Sequence, residues 1–222
     1  MPIEWVTFDC YGTLIDWEGG VFTALRPLLP PRLGQDEVAR RYIAAEAAIE
    51  GDEYAPYRDV LDRAGRAVLA DLGRPLAAGE RCPLPDSLAA WLPFPEVPPT
   101  LRALRAGGLR LAILSNVDRD LIAHSIACLG VTPDLVVTAE DCRRYKPDHG
   151  HWRHFERESG AGPGTTVHVA ASEYHDIVPA TALGYRTVYV NRHADPIGAV
   201  APTVQIPDVA SLPETIAHLP PR

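Results

Sequence analysis

Asp9 closes an apolar, β-prone run from Ile3 to Phe8 and is followed closely by Gly12 and Thr13. A carboxylate at the C-terminal end of a buried strand, beside a flexible loop with N–H groups and a hydroxyl, stands where open α/β sheets bind their ligands. Taken alone, Asp-x-x-Gly-Thr can equally be a turn or a helix cap. Further polar groups follow other apolar runs: Ser115 and Asn116 after Leu109–Leu114, Lys146 soon after Leu135–Thr138, and Ser172, Glu173 and Asp176 after Thr166–Ala170. Each by itself reads as a turn, cap or surface residue. In succession at strand ends they read as one ligand-binding edge, because parallel strands bring those ends together.

The elements that must position these groups follow from the periodicity. From Pro95 onward strands and helices alternate: a helix over 100–106, a strand over 109–114, a helix over 119–129, then strands over 135–138, 166–170 and 186–190 with helices over 151–159 and 176–183. Such alternation predicts a parallel sheet covered by helices. Between Asp16 and Phe94 no strand pattern appears. Helices are expected over 36–49, stopped by Gly51, over 57–72, stopped by Gly73, and over 84–92. The fold class is therefore α/β, a doubly wound parallel sheet with an inserted all-helical cap. Residues 1–16 and 95–222 form the core and 17–94 the cap. Tyr42, Glu46, Tyr54, Tyr57 and Trp91 are cap side chains that could line a pocket, Trp17 sits at the junction, and His175 lies among the edge residues. His149, His151 and His154 read as a solvent-facing helix start.

Composition narrows the function. The chain of 222 residues has a formal charge of −8 and is 46% hydrophobic, enough for a sizeable core. The negative charge argues against nucleic acid and anionic membranes as partners. No apolar run is long enough to span a bilayer, and no secretory signal is recognisable. Cys10, Cys82, Cys128 and Cys142 are scattered and read as reduced thiols of a cytoplasmic protein. The expected partner is a small molecule. Monomer and homodimer both stay open.

Four segments resemble the motifs of the haloacid dehalogenase superfamily of aspartate-nucleophile hydrolases, in order and at family spacing. They are Asp9-x-Tyr11-Gly12-Thr13-Leu14, Leu114-Ser115-Asn116, Tyr145-Lys146-Pro147-Asp148 and the segment reaching Asp176. The resemblance implies a Rossmann-like core with a helical cap. Phosphatases of this superfamily carry a second acid two residues after the nucleophile and a Gly-Asp that helps hold Mg²⁺; here those positions are Tyr11 and Ala170-Ala171. The L-2-haloacid dehalogenases, whose leaving halide needs no proton, resemble this chain more. The resemblance then implies that Asp9 displaces the C2 substituent of a small carboxylic acid without a cofactor. Lys146 would keep Asp9 ionised, and Asp176, with Ser172 and Glu173, would handle the hydrolytic water. Tyr11, Gly12, Thr13, Ser115, Asn116 and Trp152 would hold the substrate, with Arg40 or Arg41 of the cap receiving the halide. The alternatives are the relatives that open the ring of azetidine-2-carboxylate, suggested by Ser115-Asn116-Val117-Asp118-Arg119 and Glu173-Tyr174-His175-Asp176, and an Mg²⁺-dependent small-molecule phosphatase using Glu173.

Overall fold

The structure is a computed structural model that describes residues 2–50 and 54–220. The expected helix stop at Gly51 lies outside the described residues. β1 (Trp5–Phe8) leads into the helices α1 (Trp17–Leu25), α2 (Gln35–Glu50), α3 (Tyr57–Asp71) and α4 (Leu84–Ser87). The chain then runs through α5 (Val97–Ala106), β2 (Arg110–Ser115), α6 (Arg119–Cys128), β3 (Leu135–Thr138), α7 (Ala139–Cys142) and α8 (Gly150–Ser159). β4 (Thr166–Ala170) is followed by a π-helical turn over Glu173–Ile177 and by α9 (Val178–Ala182). β5 (Arg186–Val190), β6 (Val204–Ile206) and α10 (Leu212–Ala217) complete the fold.

The six strands form one parallel sheet in the order β3-β2-β1-β4-β5-β6. β1 is central, with Phe8 in register with Ile113 of β2 and Val169 of β4. The winding reverses across β1, so the crevice past its carboxyl end is the place where such sheets bind ligands. β1, β4 and β5 are buried throughout, as expected for strands covered on both faces. β6 is absent from the sequence expectation. It is a three-residue edge strand between Pro202 and Pro207, held only by β5.

α1 packs on α2 and α4, and α3 packs on α2 and α4. α3 buries Val60, Leu61, Ala64, Val68 and Leu69 on one face, the i, i+4 pattern of a helix docked along its length. The chain leaves and re-enters the sheet layer side by side: Asp16 N–H donates to the Leu92 carbonyl at 3.0 Å and Phe94 N–H to the Leu14 carbonyl at 3.1 Å. Asp118, in the loop after β2, accepts from the backbone N–H of Tyr57 at 2.8 Å and of Arg58 at 2.9 Å, satisfying the first turn of α3. No helix among the described residues is long and apolar enough to cross a membrane.

Candidate active site

Asp9 is delivered by β1, whose ladder continues through Asp9 N–H to the Val169 carbonyl at 3.0 Å. The next residues form a tight turn. Leu14 and Ile15 N–H both donate to the Cys10 carbonyl, and Gly12 N–H donates to the Ile15 carbonyl. Gly12 has φ +93°, and a Cβ there would meet the Trp17 ring at 3.1 Å, so the position requires glycine. Thr13 Oγ1 donates to Asp9 Oδ2 at 2.8 Å and accepts from Ala171 N–H at 2.9 Å, fixing the carboxylate against the end of β4.

Lys146 is the centre of the charge arrangement. Its Nζ donates to Asp9 Oδ1 at 2.8 Å, to Asp176 Oδ1 at 2.7 Å and to the Leu114 carbonyl at 3.0 Å, which uses all three protons of the ammonium. The Asn116 side chain holds the Lys146 backbone by accepting from its N–H at 2.7 Å and donating to its carbonyl at 3.1 Å. His168 donates from Nε2 to Asp176 Oδ1 at 3.0 Å, and its Nδ1 lies 2.9 Å from Thr7 Oγ1. Asp176 Oδ2 and Ser115 Oγ are buried and have no hydrogen-bond partner among the described residues.

The two carboxyls respond differently. Burial pushes Asp176 up, but Lys146 and His168 outweigh it and hold the carboxyl down at about 2. Burial lifts Asp9 above its ordinary range, and Asp176's charge adds to that, against the opposing pull of Lys146 and Thr13. Lys146 pulls Asp9 down as expected, but burial and Asp176 act against it. One cation is divided between two carboxylates, and the deeper one also has His168. The attraction of both carboxylates raises Lys146 itself, so it stays charged.

A cavity of about 80 Å³ opens above this triad. Asp9, Tyr11, Ser115, Asn116, Lys146, Ser172, His175 and Asp176 form its floor, and Trp17, Tyr42, Glu46, Glu50, Tyr57 and Trp91 form its roof. So small a space suits a ligand of a few heavy atoms. Tyr11 presents its ring, edge to face with Trp91 at 5.8 Å; its hydroxyl is turned away to Ser125 Oγ at 3.1 Å. Ser172 Oγ accepts from His175 N–H at 3.1 Å and so starts the π-helical turn.

Several expected site residues lie elsewhere. Arg40 is exposed and pairs with Glu37, and Arg41 ties Glu37 to Asp71 of α3. On α2 the inward stripe runs through Tyr42, Glu46 and Glu50 at four-residue spacing, which turns Arg40 and Arg41 away from the cavity. Glu173 donates nothing to the site; its Oε2 accepts from Gly198 N–H at 3.0 Å, because the wide turn puts Ser172, His175 and Asp176 inward and Glu173 outward. Trp152 is fully buried and packs edge to face on His168 at 5.3 Å, behind the triad instead of in the cavity. Gly12 N–H and Thr13 Oγ1 are committed to the loop and to Asp9, so neither is free to hold a substrate. His151 is buried, not solvent-facing: Nε2 lies 3.2 Å from the Ser115 carbonyl, and burial pulls its pKa down to about 3.

Sequence reasoning missed Glu50, His168 and Arg192. Glu50 continues the stripe of Tyr42 and Glu46, and His168 is the lone titratable residue in the buried run Thr166–Ala170; both signals are visible in the sequence. Arg192 carries no local signal. It leaves the end of β5 to donate to the Gly12 carbonyl at 3.1 Å and the Thr13 carbonyl at 2.8 Å, pairs with Glu96 at 2.8 Å and stacks on Phe94 at 3.6 Å.

The donor set does not fit the Mg²⁺ that the phosphatase alternative implies. A hard cation takes several oxygen ligands. Here the Lys146 ammonium stands between the two aspartates, Tyr11 directs its hydroxyl elsewhere and Ala171 offers a methyl group. Among the described residues no three His, Cys, Asp or Glu side chains are grouped to hold a metal.

Comparison with known proteins agrees with this geometry. A family model described as haloacid dehalogenase-like hydrolase matches residues 3–184. The chain is 28% identical over 227 residues to haloacetate dehalogenase H-2 of Moraxella sp. (strain B), covering 98% of this chain and 97% of that protein. It is 27% identical over 198 residues to an (S)-2-haloacid dehalogenase of Pseudomonas sp. (strain YL), covering 86% and 83%. The crystal structure of the L-2-haloacid dehalogenase RSc1362 superposes with a TM-score of 0.86 at 27% identity, covering 98% of this chain and all of that one.

Proposed function

The chain belongs to the haloacid dehalogenase-like hydrolases, and within that family we propose that it displaces the C2 substituent of a small carboxylic acid through a covalent aspartyl ester, with 2-haloacids as the model substrates. The observation that carries this reading is the ammonium of Lys146 bonded at once to Asp9 and Asp176, with Thr13 on the other Asp9 oxygen. That arrangement sets an Asp9 oxygen at the cavity, and Tyr11 and Ala171 stand where phosphoryl transfer would use an acid and a metal ligand.

An Asp9 oxygen attacks C2 opposite the leaving group. The C2–halogen bond breaks, its electron pair leaves as halide, and the configuration at C2 inverts. Ser115 Oγ and the N–H groups around it orient the substrate carboxylate, while the Asn116 side chain holds the Lys146 backbone in place. Water then adds to Asp9 Cγ, giving a proton to Asp176 Oδ2, the buried acceptor that has no partner among the described residues. The Cγ–O ester bond breaks, the 2-hydroxy acid takes up that proton, and the water's second proton leaves to solvent. Lys146 balances the charge on Asp9 throughout. Residues 17–94 act as a cap on the core formed by 1–16 and 95–222, excluding bulk water during displacement. The enzyme works without a metal, in the cytoplasm, as a monomer or homodimer.

L-2-chloropropionate incubated with the enzyme should release chloride, unchanged by EDTA, and the Asp9→Asn variant should release none. No chloride from any short 2-haloacid, or strict dependence on added Mg²⁺, would overturn this reading.

A further inference from the structure

The roof of the cavity has two carboxyl groups that a simple haloacid does not explain. Glu46 and Glu50, one turn apart on α2, both face the cavity that holds Asp9 and Asp176. Lys146 is the sole basic Lys or Arg among the lining residues, and it is committed to the two aspartates. An anionic substrate alone would meet two carboxyls in the roof and no cation there among the described residues.

We propose that Glu46 and Glu50 form a subsite for an ammonium group, so that the preferred substrate is a small zwitterion: a 2-substituted carboxylic acid that also carries a protonated amine. This rests on the displacement chemistry above and adds the charge of the substrate. Tyr42 and Tyr57 hydroxyls both donate to Glu46 Oε1, at 3.0 and 2.6 Å, which orients the carboxyl and leaves Oε2 without a hydrogen bond among the described residues. Trp17, Tyr42, Tyr57 and Trp91 wall the same space, and aromatic faces with carboxylates are the surroundings in which ammonium groups are bound. Trp17 and Tyr42 already stand against each other at 5.5 Å. On the opposite side Ser115, 1% exposed, aims a hydroxyl without a partner into the cavity, ready for the substrate carboxylate. The cavity thus has a donor end and an acceptor end. Glu50 Oε2 also lies 3.6 Å from His175 Nε2, but burial lowers the His175 pKa, so this ring offers a neutral N–H and not a cation. Burial raises both glutamates, Glu50 to about 9. A cation placed beside them would favour their charged forms.

The test uses the Asp9→Asn protein, which binds without turning over, and calorimetry with two probes that share a three-carbon acid and differ by a terminal ammonium. β-Alanine should bind at least about tenfold more tightly than propionate, and adding Glu46→Gln with Glu50→Gln should reduce that preference to within about twofold. In the otherwise unaltered enzyme, kcat/KM for 3-amino-2-chloropropionate should exceed that for 2-chloropropionate by a similar factor. Equal or tighter binding of propionate, or a preference for β-alanine that survives both substitutions, would overturn the proposal. Chloride release from either substrate tests the displacement chemistry separately, so the two readings fail on different measurements.

Discussion

At the residue scale the account turns on Lys146. Its side chain is 1% exposed and its three donors are all used, so no water can replace it where it stands. Removing it leaves Asp9 and Asp176 buried side by side with no cation between them. Breaking a buried ion pair costs about 3–5 kcal/mol, and a carboxylate left so tends to take up a proton. Lys146→Ala should therefore nearly abolish turnover and lower the stability at neutral pH by about that amount, with part of the stability regained in mild acid as an aspartate is protonated. Denaturant unfolding at two pH values, beside the activity assay, checks both. Normal activity in this variant would mean that Asp9 is not the group Lys146 serves. The aspartates, the lysine and the threonine were legible in the sequence because each follows an apolar strand. Tyr42, Glu46, Tyr57 and Trp91 were legible too, as residues able to line a pocket. Tyr42, Glu46 and Glu50 share a stripe, but whether that stripe or the one bearing Arg40 and Arg41 faces inward depends on how α2 docks against α1 and α3, which no local pattern contains.

Among the elements, the loop after β1 is the one whose geometry the chemistry depends on, and it is braced from a distance. Arg192 at the end of β5 bonds the Gly12 and Thr13 carbonyls, and Glu96 and Phe94 hold the guanidinium in place from the chain's return to the core. Charge-assisted bonds to two adjacent carbonyls restrict the turn that carries Thr13, and Thr13 in turn orients Asp9. Replacing Arg192 by Ala should reduce kcat by about tenfold to a hundredfold with a smaller change in KM, since the substrate's own contacts survive, and Arg192→Lys should recover only part because a point charge cannot bridge both carbonyls. An unchanged kcat in Arg192→Ala would show that the loop holds its shape without the brace. The strands over 109–114, 135–138, 166–170 and 186–190 were all legible as apolar runs, and the structure keeps them to within a residue. β6 was not, because three residues between prolines carry no period; only the hydrogen bonds to β5 define it. The expected helix over 176–183 starts instead as a π-helical turn at Glu173, and that early, wide start is what separates Asp176 from Glu173.

For the whole molecule, sheet topology gathers the ends of β1, β2 and β4 under one run of helices, and the cavity between the two layers holds the nucleophile, its lysine and the cap carboxyls. Asp118 joins the layers by accepting from the first N–H groups of α3, so the roof is tied to the loop just after Ser115 and Asn116. The central claim is that Asp9 becomes covalently attached to the substrate and is freed by water attacking its own carboxyl carbon. A single turnover of L-2-chloropropionate by excess enzyme in heavy-oxygen water tests this most directly. Peptide mass analysis should find the heavy oxygen in the Asp9 carboxyl and the first molecule of product unlabelled. Heavy oxygen in that first product, with Asp9 unlabelled, would mean that water attacks the substrate itself and would contradict the account.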